Sequence, residues 1–205
     1  MTTTEPANRT IPGHEDLPEV TESNEVAGIL TSDQYFKRVQ HANTRPAFWK
    51  FSDVMGVLER LGEDPLVEAE RRFCTTINDD CGDLTGATPF CFIGWQLIHP
   101  GEHVPPHRHN SFAIYHILQG NGYTVVEGEK YVWERGDTLA CPAWAQHEHV
   151  AEGEEPTLMY VVQDMPMLAA SRTLMWEEPI GPENNRHMVL GTAPSWSATR
   201  TDLPS

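Results

Sequence analysis

The chain has 205 residues, of which 39% are hydrophobic and 21% are charged, a composition typical of a folded globular protein. Its 30 Asp and Glu against 14 Lys and Arg give a formal net charge of −16, so the surface should repel a phosphate backbone, and nucleic acid is not an expected partner. No segment approaches the roughly 20 consecutive apolar residues of a membrane helix. The polar N-terminal residues lack the pattern of a secretory signal, which favours a cytoplasmic location.

Cysteine and histidine are distributed differently along this chain. The four cysteines, Cys74, Cys81, Cys91 and Cys141, include no C-x-x-C pair and are therefore predicted to be reduced thiols. In contrast, seven of the 10 histidines lie between residues 99 and 149. This concentration indicates that a functional site lies in that part of the chain.

The N-terminal third is predicted to be an arm followed by helices. Residues 1–31 mix acidic residues with Pro, Gly, Ser and Thr without an apolar period, which predicts a flexible arm. A short helix is predicted over residues 33–42, and an apolar stripe of helical period predicts a second helix over residues 47–61, ended by Gly62. Residues 32–74 are therefore expected to form a helical extension.

From residue 75 the chain changes to short β-favouring runs separated by turn residues. Strands are predicted over residues 89–98, 112–118, 123–126, 130–133, 138–141, 147–150 and 158–162. The sequence Gly120-Asn121-Gly122 is predicted to form a tight hairpin turn, because Gly and Asn tolerate positive φ. Short, evenly spaced strands favour an all-β antiparallel sandwich or closed barrel over residues 75–166. Residues 167–205 are expected to form a C-terminal extension that packs on the barrel.

Two histidine-rich stretches predict a metal site. Side chains two apart in a strand point to the same face, so His107 and His109 can present two imidazoles in one direction. A third imidazole must come from elsewhere in the fold, and His147 is the candidate, with His149 as the alternative if the register slips by two. Three neutral imidazoles suit Fe, Zn, Cu or Ni, and no cysteine or carboxylate obviously closes the coordination sphere, which is typical of a catalytic site.

The spacing of both stretches resembles the two signature motifs of the cupin superfamily. The matching residues of the first motif are Gly101, His107, His109 and Gly120, and those of the second are Gly136, Pro142 and His147. Many cupins place a metal-binding Glu at the position of Ala113, so the chain resembles the three-histidine branch.

Within that branch, residues 68–166 are similar to the iron-bearing cupin domain of gentisate and salicylate 1,2-dioxygenases. The segments that carry the likeness are Glu68-Ala69-Glu70-Arg71-Arg72, Gly86-Ala87-Thr88-Pro89, Gln96-Leu97-Ile98, Pro100-Gly101-Glu102, His107-Arg108-His109 and His147-Glu148-His149. The resemblance implies a single cupin (jelly-roll) β-barrel that holds one Fe(II) through His107, His109 and His147. It also implies a ring-cleaving dioxygenase, in which a hydroxylated aromatic or enolic small molecule and O2 are activated on one metal ion.

The same resemblance implies roles for four catalytic candidates, His149, Gln96, Arg71 and Tyr115. His149 is expected to be a base or hydrogen-bond partner within reach of a substrate hydroxyl, and Gln96 and Arg71 match positions near the substrate pocket. Tyr115 stands where the family usually has an arginine for the aromatic carboxylate, and Val161 stands where an acidic residue is expected. The substrate is therefore expected to bind with less help from a cationic clamp.

Two other classes of function remain open from the sequence. The same scaffold could hold a metal-dependent lyase, isomerase or decarboxylase, in which the metal acts only as a Lewis acid, or a non-catalytic cupin that binds a small molecule. Exposed barrel edges and the terminal arms favour a homodimer under any of these functions.

Overall fold

The computed structural model describes residues 30–39, 44–82, 84–180 and 184–189. Most of the predicted N-terminal arm, residues 1–29, and the end of the predicted C-terminal extension, residues 190–205, lie outside these ranges. The chain divides into two compact units, Met1–Ala42 and Asn43–Ser205. The predicted domain boundaries after residues 31, 74 and 166 stay predictions.

The first unit contributes one described element, helix α1 (Ser32–Val39). Helices α2 (Phe51–Glu63) and α3 (Met165–Ala170) belong to the second unit. The strands are β1 (Phe73–Thr76), β2 (Phe92–Ile98), β3 (His103–His109), β4 (Ala113–Gln119), β5 (Asn121–Val126), β6 (Glu129–Glu134), β7 (Thr138–Cys141), β8 (His147–Glu152), β9 (Thr157–Gln163), β10 (Met175–Ile180) and β11 (Asn184–Val189). No helix among the described residues is long and apolar enough to cross a membrane.

The strands form two antiparallel sheets. One sheet has the order β1-β2-β9-β4-β7, and the other has the order β11-β10-β3-β8-β5-β6. Both sheets supply side chains to one apolar core, including Ile117 and Met159 from the first and Val104 and Trp133 from the second. Burial of one face of each sheet against the other is what holds such a two-layer barrel together. The predicted all-β jelly-roll barrel is thus confirmed.

The second predicted helix starts later than its apolar stripe suggested. Lys50 is extended, with φ −76° and ψ 135°, so α2 begins at Phe51 and continues past Gly62 to Glu63. Val54 and Leu58 are its buried residues, and they pack in one cluster with Leu97 and Leu158. The helix is therefore fixed by its contact with the first sheet, because an isolated helix of this length is marginal in water.

The hairpin predicted at Gly120 is wrong. Strands β4 and β5, on either side of it, belong to different sheets. Gly120 does have a positive φ of 84°, and a Cβ there would lie 2.5 Å from the hydroxyl oxygen of Thr157. The glycine correctly predicted a positive φ at this position. The turn, however, carries the chain from one sheet of the barrel to the other and does not join two paired strands.

A strand after the region of resemblance completes the second sheet. After α3, β10 pairs with β3, so that Trp176 lies opposite His109 and Glu177 lies opposite Arg108. Arg108 donates to the Glu177 carboxylate, with Nη2 and Oε2 2.7 Å apart. This pairing brings an indole ring to the edge of the histidine-bearing strand.

Candidate metal centre

Neighbouring strands of the second sheet bring three of the predicted histidines together. His107 and His109 lie on β3, and His147, on β8, is the direct partner of His107 across the strand pair. The register between these strands shifts between Val104 and His107, at Pro105 and Pro106. Proline has no N–H to donate to a strand ladder, which is why such a pair is compatible with a bulge.

His107, His109 and His147 are called the histidine triad below. One ring nitrogen from each member lies within 4.8 Å of one from every other. The ring centroids are 4.3 Å apart between His107 and His147, 5.0 Å between His109 and His147, and 5.9 Å between His107 and His109. Of the two alternatives for the third imidazole, the structure therefore groups His147 with the pair on β3.

Backbone carbonyl groups determine which nitrogen of each triad member carries the proton. Each Nδ1 lies 2.8–2.9 Å from a carbonyl oxygen. The acceptors are Pro105 for His107, Ser111 for His109 and Ala145 for His147. A carbonyl oxygen can only accept, so Nδ1 carries the proton and Nε2 keeps a lone pair. This arrangement is typical of imidazoles that bind a metal through Nε2.

The electrostatics of the triad also favour the neutral ligand form. Burial, together with weaker repulsion from a neighbouring triad imidazole, lowers the pKa of His107 and His109 to about 4 and that of His147 to about 3. Nε2 of His109 is buried and has no hydrogen-bond partner among the described residues. A buried acceptor without a partner costs free energy unless another group uses its lone pair. The triad therefore fits a divalent transition-metal ion.

Trp176 packs against the triad and was not found by sequence reasoning. Its ring is stacked on His109 at a centroid distance of 4.6 Å and on His107 at 5.6 Å. It lies on β10, ten residues beyond the region of resemblance. No motif of the sequence indicated it, because its position depends on the pairing of β10 with β3.

A cavity of about 390 Å³ lies against the triad. Its lining combines one triad residue with three of the catalytic candidates, His107 with Arg71, Gln96 and Tyr115. The other lining residues are Leu61, Val67, Glu70, Phe73, Phe92, Val104, Gln163, Met165 and Trp176. Apolar walls with a few polar groups are characteristic of a small-molecule site.

Arg71 is held at the cavity by a short 3-10 turn over Ala69–Arg71. Its guanidinium forms an ion pair with Glu70 at 3.2 Å. The next residue, Arg72, is buried and pairs with the Glu102 carboxylate through both of its terminal nitrogens, which lowers the pKa of that carboxyl. Gln96 on β2 donates to the Ala69 carbonyl at 3.4 Å. The Glu102 carboxylate and the Gln96 amide therefore hold the turn that carries Arg71.

Tyr115 and His149 lie beside the triad inside the barrel. The Tyr115 hydroxyl is 3.1 Å from Nε2 of His147, and burial raises the pKa of this phenol well above its usual value. His149 packs against the Tyr115 ring at a centroid distance of 4.6 Å, and burial lowers its pKa. His149 does not line the cavity itself. Val161, directly opposite Tyr115 in the sheet, is fully buried in the core.

An imidazole-lined centre inside a two-sheet jelly-roll barrel defines the class of cupin metalloproteins. Known proteins of similar sequence belong to the same class. The cupin domain model matches residues 94–163. Over 176 residues the chain is 46% identical to 5-nitrosalicylic acid 1,2-dioxygenase from Bradyrhizobium sp, a match that covers 84% of this chain and 85% of that enzyme. The chain belongs to this family of cupin ring-cleaving dioxygenases.

Longer relatives also match more than half of this chain. Gentisate 1,2-dioxygenase from Ralstonia sp is 37% identical over 128 residues, which cover 61% of this chain and 36% of that enzyme. The crystal structure of salicylate 1,2-dioxygenase from Pseudaminobacter salicylatoxidans matches with a TM-score of 0.60 and 28% identity, over 70% of this chain and 43% of the other. The matched segment thus spans about a third of the length of the gentisate enzyme. Family membership confirms the predicted enzyme class, and with the triad it implies a bound metal.

Proposed function

We propose that this protein is an Fe(II)-dependent dioxygenase that cleaves the aromatic ring of a 2-hydroxybenzoate. The observation that carries the proposal is the histidine triad at the wall of a cavity of about 390 Å³ that also contains Arg71. The substrates named for the three relatives, 5-nitrosalicylate, gentisate and salicylate, share the 2-hydroxybenzoate nucleus. One such ring is of the size that a cavity of this volume accepts.

The triad would hold the iron through its three Nε2 atoms. Fe(II), when bound, supplies a redox-active centre at which the hydroxybenzoate and O2 can meet. Three protein ligands leave coordination positions for both molecules, because the position of the fourth ligand of many cupins is occupied by Ala113, whose methyl group cannot bind a metal. Zn, Cu and Ni also suit three imidazoles. The identity of the metal as iron is therefore a separate claim from the presence of a metal at the triad.

Arg71 is the group proposed to bind the substrate carboxylate. Among the described residues that line the cavity, it carries the only positive charge at neutral pH. Its ion pair with Glu70 is short enough to orient the guanidinium, and a substrate carboxylate would share or replace that partner. A planar guanidinium binds a carboxylate through two parallel hydrogen bonds, which also fixes the orientation of the ring.

The remaining residues would orient the substrate and control its protons. Phe73, Phe92 and Trp176 give the cavity aromatic walls that hold a ring and exclude water. Tyr115, a neutral phenol, and the Gln96 amide can donate hydrogen bonds to substrate oxygens. His149, two residues beyond His147, is proposed as the hydrogen-bond partner of an oxygen atom near the metal.

Oxygen consumption by protein loaded anaerobically with Fe(II) tests this proposal. We expect one O2 consumed per molecule of 5-nitrosalicylate, gentisate or salicylate that loses its aromatic absorbance. Benzoate, which lacks the hydroxyl, and the matching phenols, which lack the carboxylate, are the controls. Absence of O2 uptake with every 2-hydroxybenzoate, in protein whose iron content is verified, would overturn the proposal. Activity with Zn(II) equal to that with Fe(II) would overturn the iron assignment alone.

We also propose that the protein forms a homodimer and is located in the cytoplasm. The four cysteines are free thiols, in agreement with a reducing compartment. Exposed apolar side chains such as Phe48, Leu66 and Phe90 offer surface that a second copy could cover. Light scattering coupled to gel filtration should give the mass of two chains, and the mass of one chain at high protein concentration would contradict the dimer.

A further inference from the structure

Three buried side chains form a hydrogen-bonded row that ends at His149. The hydroxyl oxygen of Thr124 lies 2.9 Å from the indole nitrogen of Trp133 and 2.8 Å from Nδ1 of His149. Thr124 lies on β5, which is paired with β6 on one side and with β8 on the other, and His149 is its direct partner in β8. The row therefore crosses three strands inside the barrel, where Thr124 is 0% exposed.

The chemistry of the three groups sets the direction of both hydrogen bonds. An indole N–H can only donate, so Trp133 uses one lone pair of the Thr124 oxygen. The hydroxyl has one proton, and the only other hydrogen-bond partner of that oxygen among the described residues is Nδ1 of His149. If His149 donated instead, the hydroxyl proton would be buried without an acceptor, at the cost of an unsatisfied donor. Thr124 therefore donates, and Nδ1 of His149 accepts.

An imidazole that accepts at Nδ1 and is neutral must carry its proton on Nε2. His149 is 1% exposed, and its ring is in the neutral form, because a doubly protonated imidazole has no lone pair with which to accept from Thr124. Its Nε2 is itself buried and has no partner among the described residues. The triad has the opposite tautomer, because each Nδ1 in it donates to a carbonyl oxygen. The Ser111 hydroxyl, which also lies near Nδ1 of His109, uses its proton to donate to Gln163.

We propose that Trp133 and Thr124 are positioning residues that hold His149 as the Nε2–H tautomer. In this form His149 can donate a hydrogen bond to an oxygen atom of a bound substrate or of O2, but it has no Nε2 lone pair for a metal. The strand register already leaves His149 outside the histidine triad, and this tautomer also denies it the lone pair that a fourth ligand would need. The catalytic consequence rests on the proposed dioxygenase function, whereas the tautomer itself does not.

Nuclear magnetic resonance of protein with 15N-labelled histidine tests the tautomer directly. Zn(II) in place of iron keeps the full-length protein diamagnetic, and long-range 1H–15N correlations distinguish Nε2–H from Nδ1–H rings. His149→Gln identifies the His149 signals by their loss. We expect Nε2–H for His149 and Nδ1–H for the histidine triad. An Nδ1–H ring at His149 would overturn the proposal, whatever the activity of the iron-loaded enzyme.

Three threonine variants test the consequence for catalysis. Thr124→Val keeps the shape and removes the hydroxyl, Thr124→Ser keeps the hydroxyl, and Thr157→Val is the matched control. Thr157 is equally buried, at 0% exposure, but its hydroxyl has no partner among the described residues. We expect Thr124→Val to shift the 15N resonances of His149 and to lower kcat about threefold to tenfold at unchanged iron content, as loss of one positioning hydrogen bond implies. Thr124→Ser and Thr157→Val should behave as the wild type.

Two results would overturn the positioning role. One is a Thr124→Val enzyme with wild-type kcat and unchanged His149 resonances. The other is an equal loss of kcat in Thr157→Val, which would show that any buried threonine affects the reaction through packing. If the wild-type enzyme shows no O2 uptake while His149 has the Nε2–H form, the proposed function fails and the tautomer assignment stands.

Discussion

The Tyr115 hydroxyl donates a hydrogen bond to Nε2 of His147 across 3.1 Å. The direction follows from the other side of the imidazole, where Nδ1 of His147 donates to the Ala145 carbonyl, which leaves Nε2 as an acceptor. The lone pair that holds the phenol is therefore the same lone pair that a metal ion would use. Metal binding must release the Tyr115 hydroxyl, which then becomes a free donor inside the cavity.

Tyr115→Phe should therefore bind metal more tightly than the wild type. Removal of the competing hydrogen bond is expected to raise the affinity for Fe(II) or Zn(II) about fivefold, the equivalent of one net hydrogen bond of roughly 1 kcal/mol. Titration against a chelator of known affinity measures this change. Tyr131→Phe, which removes an exposed hydroxyl bonded to Glu129, is the control. Weaker metal binding in Tyr115→Phe would contradict the competition.

Arg71→Met should impair the binding of carboxylate-bearing substrates selectively. Loss of a charge-assisted pair of hydrogen bonds is expected to lower kcat/KM by about tenfold to a hundredfold. The same variant should bind a phenol without a carboxylate as the wild type does, which calorimetry or competitive inhibition can measure. Arg45→Met removes an exposed guanidinium that pairs with Asp80 and should leave both quantities unchanged. An equal loss for both ligands would show that Arg71 does not contact the carboxylate.

Trp176→Ala should release the metal faster. The indole is stacked on two members of the triad, and its removal exposes their rings to water and leaves a void of the kind that costs roughly 2 kcal/mol or more. We expect about tenfold faster dissociation of Zn(II) in a stopped-flow experiment with a chromophoric chelator, and near wild-type rates for Trp176→Phe, which keeps a stacked ring. Trp95→Ala, which removes a ring packed on Tyr160, is the control for general destabilisation.

The metal-free protein should lose stability as the pH falls from about 6.5 to about 4. The folded-state pKa is about 4 for His107 and His109 and about 3 for His147, whereas the unfolded value is near 6.5. Between these values the unfolded chain binds more protons than the folded one, so acid favours unfolding. Each histidine should lower the free energy of unfolding by up to about 1.4 kcal/mol per pH unit in this window.

Urea denaturation of the metal-free protein at pH 7.5, 6.5, 5.5 and 5.0 measures this dependence. The window above pH 5 isolates the histidines, because carboxylates titrate below it. His109→Phe should have a shallower dependence, and His116→Gln, which removes a ring bonded to the exposed Thr138 hydroxyl, is the matched control. A free energy of unfolding that stays constant from pH 7.5 to 5.0 would contradict the assignment.

The features that the sequence predicted correctly depend on the local geometry of the backbone. The period of two in a strand is enough to place His107 and His109 on one face, and β3 carries them as expected. Short alternating runs separated by turns were sufficient for the all-β jelly roll, and the positive φ of Gly120 followed from its residue type. Each of these features depends on a few adjacent residues, so no knowledge of distant contacts was needed.

Pairing between strands distant in sequence decided the features of the site that the sequence could not predict. The register of β3 against β8, shifted at Pro105 and Pro106, is what groups His147 and not His149 with the pair on β3. The position of Trp176 on the triad depends on β10 joining β3, and the tautomer of His149 depends on a hydroxyl from β5. Hydrogen bonds and stacking between segments distant in sequence leave no periodic trace in the chain. The amino-acid sequence by itself thus determined the barrel, the two histidines on one strand and the need for a third imidazole, whereas only the tertiary structure decided which histidine completes the triad and which remains a donor.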